Sequence, residues 1–375
     1  MNENRTDRNA ILALAFAFFG KMHIQKDTID RGAGFYGKAL TGLRTDLLGK
    51  NCWSERALTT TLILYIYELI AFTSSQGWVS HVSGLARLIE IRGPRRHQDP
   101  VSLALFQASR PIIIVEALKF RKRTFLERPE WKSVPWELAP EVKDSSQYLE
   151  DIFADLPGMV HDLDNCKALD ISVESSETIG RMKEKLRASL LDHLRQLVEW
   201  RWNFERTNPS IAQEIPATLL TDGRNSTPLF PTVFHFADLL IANTIMLYNT
   251  VMLCLLRMSS YALDSPFTIS MLPFLADLPE RTNPLNLPGR DPVEIIPSVR
   301  EVCRSLEHRI LAVTSSAVAF PVLLPLCVAL SCLHPQSKEA EWLVRLAGVI
   351  EKSSGFEVKS LLDMASVPGK RVSDC

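Results

Sequence analysis

Apolar residues recur at steps of three and four along most of this chain, and that spacing predicts helices. Between Trp78 and Ile91, the residues Val79, Val82, Leu85, Ala86 and Ile89 share one face. Gly93-Pro94 then closes the helix, because glycine can take a left-handed cap and proline blocks continuation. Between Ile179 and Trp202, Met182, Leu186, Leu190, Leu194, Leu197 and Val198 form a stripe, with charged residues filling much of the rest. Similar spacing predicts helices over Arg8–Phe19, Arg31–Leu48, Ser54–Ser74, Pro231–Met258, Glu294–Thr314 and Lys338–Lys352. Asp144-Ser145-Ser146-Gln147 reads as a capping box opening a short helix to Ala154. Pro111 suits the first turn of a helix through Phe120, while β-branched Ile112 to Val115 leaves a strand open there.

Polar and proline-rich stretches separate these segments. Arg92–Pro100 reads as a short turn, Pro157–Glu177 as a polar acidic loop, and Arg206–Pro228 as a loop rich in Thr, Asn and Pro. Ser265–Pro297 carries seven prolines, a density that forbids a regular helix across it and predicts a long surface excursion. Strand pairs are few, strand–helix alternation is missing and no fixed period repeats. The fold expected is all-α, an irregular multi-helix bundle without regular repeats. One helical body over residues 1–365 is expected, divisible into lobes 1–156 and 178–365, with a mobile tail at 366–375.

Composition agrees with a packed body: 46% of the 375 residues are hydrophobic and 23% charged. The formal net charge of −1 lacks the basic excess of a nucleic-acid binder, so no direct specific nucleic-acid binding is expected. Seven scattered cysteines, several in apolar runs, read as buried free thiols of a reducing compartment. Ala10 to Phe19 mimics a signal-peptide core, but Asp7 spoils the basic start and no small-x-small site follows. Leu311 to Leu333 is uncharged and long enough to span a bilayer. Pro321, Pro325 and Thr314-Ser315-Ser316 interrupt it, so a break between two buried helices is expected and no membrane partner.

Chemistry motifs are weak. Gly32-Ala33-Gly34-Phe35-Tyr36-Gly37 matches G-x-G-x-x-G, but polar Lys26 to Asp30 precedes it where a buried strand is needed. Glycines permitting close helix packing are the reading adopted, and no cofactor is expected. Cys327, Cys332 and His334 fall one ligand short of a tetrahedral zinc site and are oddly spaced, so no metal is expected. No catalytic residues emerge, because H-E-x-x-H, G-x-S-x-G, Walker A and kinase motifs are all missing. Lys119, Arg121, Lys122 and Arg123 make a candidate nuclear-import patch, or else a solvated helix end opposing the macrodipole.

Three stretches together carry a family resemblance. They are Tyr36 to Leu43 (YGKALTGL), His81 to Pro94 (HVSGLARLIEIRGP), and Arg110 to Trp136, which includes Arg121 to Leu126 and Pro129 to Trp136 (PEWKSVPW). Leu247-Tyr248-Asn249 and Phe320 to Leu326 fit more loosely. These stretches resemble the regulatory, middle-homology region of fungal zinc-cluster transcription factors. The resemblance implies an all-helical fold, action in the nucleus with cytoplasmic residence left open, and control of transcription, often of a metabolic gene cluster. Its signature residues here are His81, Gly84, Arg92, Gly93, Pro94, Arg110, Trp131, Pro135 and Trp136. Their expected role is mainly structural, with ligand sensing as the alternative. Trp131 and Trp136, bracketing Pro135, can anchor an extended segment onto helices, and Arg92 and Arg110 can bind carbonyls at helix ends.

Such factors begin with six cysteines holding two zinc ions, whereas Cys52 is the only cysteine here before Cys166. DNA binding is therefore not carried over to this chain. A standalone co-regulator and a shortened gene product both fit. The function expected is a transcription regulator or co-regulator acting through protein contacts. Its partner would be a DNA-binding transcription factor or a second copy of the chain. A helical adaptor outside transcription and an enzyme of unrecognised type are the alternatives.

Overall fold

The computed structural model describes residues 6–49, 54–74, 76–170, 176–217, 228–262, 283–291, 293–312, 316–354 and 358. The tail expected after Ala365 lies outside them, as does most of the proline-rich stretch after Ser265. Among the described residues are twelve α-helices and one two-stranded sheet, so the fold is all-α. The chain divides into two compact units. The first runs to Asp144 and takes in the end of the last helix from Ile350; the second runs from Ser145 to Val349.

The first unit opens on a helical hairpin, α1 (Thr6–Met22) and α2 (Lys26–Leu48). Helix α1 buries its small residues, Ala10, Ala13, Ala17 and Gly20, and Ile11 and Phe19 stay about half exposed. The reason lies on α2. A Cβ added to Gly32 would sit 3.1 Å from the Ala17 nitrogen and 3.2 Å from the Ala13 carbonyl oxygen. The two backbones thus approach more closely than side chains of ordinary size allow. Only Gly32 of the G-x-G-x-x-G stretch serves this seam, since Gly34 and Gly37 meet nothing within 4 Å.

Helix α3 (Glu55–Ala71) is capped by Ser54, whose hydroxyl accepts from the Ala57 N–H, and packs against α1 and α4. Helix α4 (Gly77–Arg92) ends where predicted. Gly93 takes φ of +75° and its N–H bonds the carbonyls of Ile89 and Glu90. Helix α5 (Pro100–Lys119) is capped by Asp99 and corrects the expectation at Pro111, which lies inside the helix instead of opening it. The β-branched run Ile112 to Val115 is helical, with Phe106, Ile112, Ile113 and Ile114 buried. Between Phe125 and Val142 the chain winds through three 3-10 turns and the five-residue α6 (Pro129–Ser133). The extended path expected around Trp131 is thus replaced by short helical turns.

The second unit is built on α9 (Leu239–Ala262), which packs against α7 (Ser145–Asp170), α8 (Ser176–Thr207), α10 (Ile295–Ala312) and α11 (Ser316–Ser331). Helix α7 runs well past the expected end at Ala154 and through Pro157, so most of Pro157–Glu177 is helix, not loop. Its buried face explains why. Leu149, Ile152, Phe153 and Leu156 before the proline continue as Met159, Leu163 and Cys166 after it. Burying the later three offsets the roughly 3 kcal/mol that an interior proline costs. Pro321 and Pro325 likewise lie inside α11. The interruption expected at Pro321 and Pro325 is thus not found, and the part of it expected at Thr314-Ser315 lies outside the described residues.

The second unit also holds a hairpin that the apolar spacing does not mark. Strand β1 (Ala212–Pro216) lies in the expected loop and pairs antiparallel with β2 (Thr232–Phe236), placed there as the start of a helix. Glu214 stands opposite Phe234 in the register. Helices α5 and α9 are long and apolar enough to cross a bilayer, but more than half of each is buried inside the protein. Helix α12 (Lys338–Ser354) closes the described chain except for Val358.

Gly32→Val is expected to lower stability by about 1–3 kcal/mol through overpacking at the α1–α2 seam. Gly34→Ala, on the open side of the same helix, is expected to raise it by about 0.5–1 kcal/mol. Urea denaturation of both variants checks the pair.

Candidate functional site

The signature residues of the first unit gather around α4, α5 and the Trp131–Trp136 turns. Helix α4 carries His81 and Arg92. The His81 Nε2 lies 2.9 Å from the Tyr36 hydroxyl, and the Tyr36 ring stacks on Tyr67 with centroids 4.3 Å apart. Behind them sits Glu68, 1% exposed, whose carboxylate accepts from the hydroxyl and backbone N–H of Thr73. Burial pushes the His81 pKa down, with the Glu68 charge opposing it. Burial and the bond to Glu68 push Tyr36 up.

Arg92 binds a carbonyl as expected, that of Arg96, and also the Ser102 hydroxyl at 3.1 Å. Ser102 in turn donates to Glu55 Oε1 at 2.6 Å, so the start of α3, the end of α4 and the start of α5 share one polar chain. His97 beside it is fully buried. Its Nδ1 lies 3.3 Å from the Ser102 carbonyl, and its ring packs on Phe106 and Trp131. Burial holds its pKa down at about 4. Arg110, 1% exposed, lies over Phe106 at 5.7 Å and over Trp136 at 5.1 Å. Trp131 meets Phe125 edge-on, and Pro135 is buried beside Trp136. Gly84 stands apart, exposed and with nothing within 4 Å of an added Cβ.

The basic run occupies the end of α5. Arg121 takes φ of 52°, the left-handed position that glycine usually fills, and the Lys122 N–H bonds the Ala117 carbonyl. Lys122 pairs with the buried Glu116 at 2.7 Å, Arg123 pairs with Glu127 at 2.9 Å, and Lys119 lies over the Trp78 ring. Much of the positive charge is thus engaged within the protein. Glu55, Glu68, His97 and Glu116 complete these clusters and went unnoticed in the sequence. Glu68 and Glu116 gave a signal there, each as a lone carboxylate inside an apolar run.

The second unit holds a different cluster. Arg201 and Glu205 form an ion pair of 2.6 Å at 0% and 1% exposure. The other Glu205 oxygen accepts from Asn283, and Arg201 donates to the Asn286 carbonyl. The Asn286 N–H bonds Glu301, 2% exposed, which also accepts from Asn249 at 2.8 Å. Tyr248 packs under the Arg201 guanidinium, so the loosely matching Tyr248-Asn249 pair reaches both ends of this network. In front of Glu301, the hairpin and α10 flank a half-open cavity of about 380 Å³.

Five cysteines in the described residues are free thiols, and burial pushes Cys254 and Cys327 up to about 12. Among the described residues, no three His, Cys, Asp or Glu side chains gather to hold a metal ion. Both clusters join elements of the fold.

The family model for the fungal-specific transcription factor domain matches residues 2–361. The chain belongs to that family. The fungal-specific transcription factor domain thus spans both units and all the residues above. An uncharacterized protein of Emericella nidulans is 30% identical over 131 residues, which are 35% of this chain and 28% of that relative. The chain therefore spans well under a third of the length of that relative. No solved structure matches the chain.

Two predictions test the clusters of this domain. The unfolded chain takes up a proton on His97 near pH 6.5, while the folded one resists until about 4. Stability is therefore lost as pH falls through that window, by on the order of 3 kcal/mol for this residue. His97→Gln is expected to flatten the loss in acid denaturation. Glu205→Gln, which leaves the buried Arg201 charge without its counter-ion, is expected to cost about 3–5 kcal/mol in chemical denaturation.

Proposed function

We propose that this transcription-factor domain acts as a co-regulator through protein contacts, in the nucleus, on a fungal metabolic gene cluster of the secondary-metabolite kind. The observation that carries the reading is the family match over residues 2–361. A net charge of −1 and a basic run engaged in internal ion pairs support a role without direct DNA reading. A specific site is typically held at about 10⁻⁸–10⁻¹¹ M, largely by cations placed on phosphates. The partner is then a DNA-binding factor or a second copy of this chain, and the protein is not an enzyme.

Tagged chain recovered from nuclei is expected to bring down a DNA-binding regulator or itself. Deletion is expected to change transcripts of neighbouring genes. Purified chain alone is expected to give no competitor-resistant shift of promoter DNA at physiological salt. Recovery as a lone monomer together with unchanged transcripts would remove the proposal.

A further inference from the structure

The cavity of the second unit lies between one face of the hairpin and one face of α10. The hairpin supplies Glu214, Thr232 and Phe234, and α10 supplies Pro297, Arg300, Glu301 and Arg304. The spacing explains the wall: Thr232 and Phe234 alternate to the same side of β2, and Pro297, Arg300, Glu301 and Arg304 recur at three- and four-residue steps. Phe230 and Asn286 complete it. At about 380 Å³ it has room for a small metabolite.

The lining combines rings with charges of both signs. Phe230, Pro231, Phe234 and Pro297 offer apolar surface to a ligand body. Arg300 and Arg304 are balanced by Glu214 and Glu301. A simple anion or a simple cation would therefore meet as much repulsion as attraction, whereas a molecule bearing both charges can place each against its opposite.

The four charges are not equally available. Arg304 is committed to the hairpin: it donates to the Thr232 carbonyl and hydroxyl and to Glu214 Oε1, and its guanidinium lies 3.9 Å from the Phe234 ring centroid. Glu301 is held by Asn249 and the Asn286 N–H. Arg300 is 57% exposed and touches Glu339 through Nε at 3.3 Å, leaving its terminal nitrogens for a carboxylate. Glu214 gives one oxygen to Arg304, is 44% exposed, and keeps the other oxygen for an ammonium group.

We propose that this cavity binds a small zwitterion of the amino-acid class with an apolar or aromatic side chain. Its carboxylate pairs with Arg300, its ammonium faces Glu214, and its side chain lies against Phe230 and Pro297. The assignment rests on the cavity alone and stands apart from the co-regulator reading.

Calorimetric titration of the whole chain with L-leucine, L-phenylalanine and L-tryptophan tests it. At least one is expected to bind saturably. The matching analogue without the amino group, such as 3-phenylpropionate, and that without the carboxylate, such as phenethylamine, should each bind at least about tenfold more weakly. Arg300→Gln, at an exposed position, should weaken binding by about tenfold or more without lowering the melting temperature, whereas Arg181→Gln, on α8, should leave it unchanged. No binding of any of the three amino acids up to about 10 mM would overturn the proposal. So would equal binding of a one-charge analogue, or undiminished binding by Arg300→Gln.

Discussion

The second unit is organised around a charge that water cannot reach. Arg201 on α8 is fully buried, and every oxygen placed around it fixes a piece of chain. Glu205, one turn along the same helix, meets the charge at 2.6 Å. Moving such a pair out of water costs several kcal/mol per ion, and the attraction between them roughly offsets that. The pair is therefore a weak source of net stability. Its effect is on conformation: in the segment from Asn283 to Pro288 the Asn283 amide, the Asn286 peptide and the Pro288 carbonyl all find partners, the last in Trp202 Nε1 at 3.0 Å. Because Asn286 also bonds Glu301, the same constraint sets the back wall of the cavity.

The first unit reaches its geometry by different means. Small residues along one seam bring α1 and α2 together, and large aromatics around one cation lock α5 to the turns that follow it. Arg110 lies buried with its guanidinium against the faces of Phe106 and Trp136, whose rings attract the cation. The polar chain Glu55–Ser102–Arg92 then joins three helix ends at one point.

Much of this could be read from residue order, and the failures are instructive. Helices with a continuous apolar stripe, such as α4 and α8, were legible because burial and periodicity agree there. Prolines misled most. Pro111, Pro157, Pro321 and Pro325 read as boundaries or interruptions, yet all four lie inside helices, and across Pro111 and Pro157 the buried stripe continues, so packing outweighs one lost backbone bond. The hairpin was hidden for the opposite reason. Thr232 to Phe236 (TVFHF) does not alternate cleanly, since Val233 and Phe234 are both buried, so five residues next to a long apolar helix read as its first turn, and β1 is mostly exposed. At the site, the family-like residues were visible as a pattern. Their carboxylate partners were less so: Glu55 meets Ser102 across 47 residues and leaves no local mark, while Glu68 and Glu116 show only as lone carboxylates inside apolar runs.

The helix-interior prolines have a consequence for kinetics. Pro111, Pro157, Pro321 and Pro325 all follow trans peptide bonds, as does every described residue. In an unfolded chain each such bond is cis about 10–30% of the time, so only roughly a quarter to two-thirds of molecules carry all four correctly. The remainder must isomerise before α5, α7 or α11 can close, a step of tens of seconds that an isomerase would shorten. A protein synthesised from trans bonds and folded promptly would escape that delay, while one unfolded and rescued later would not.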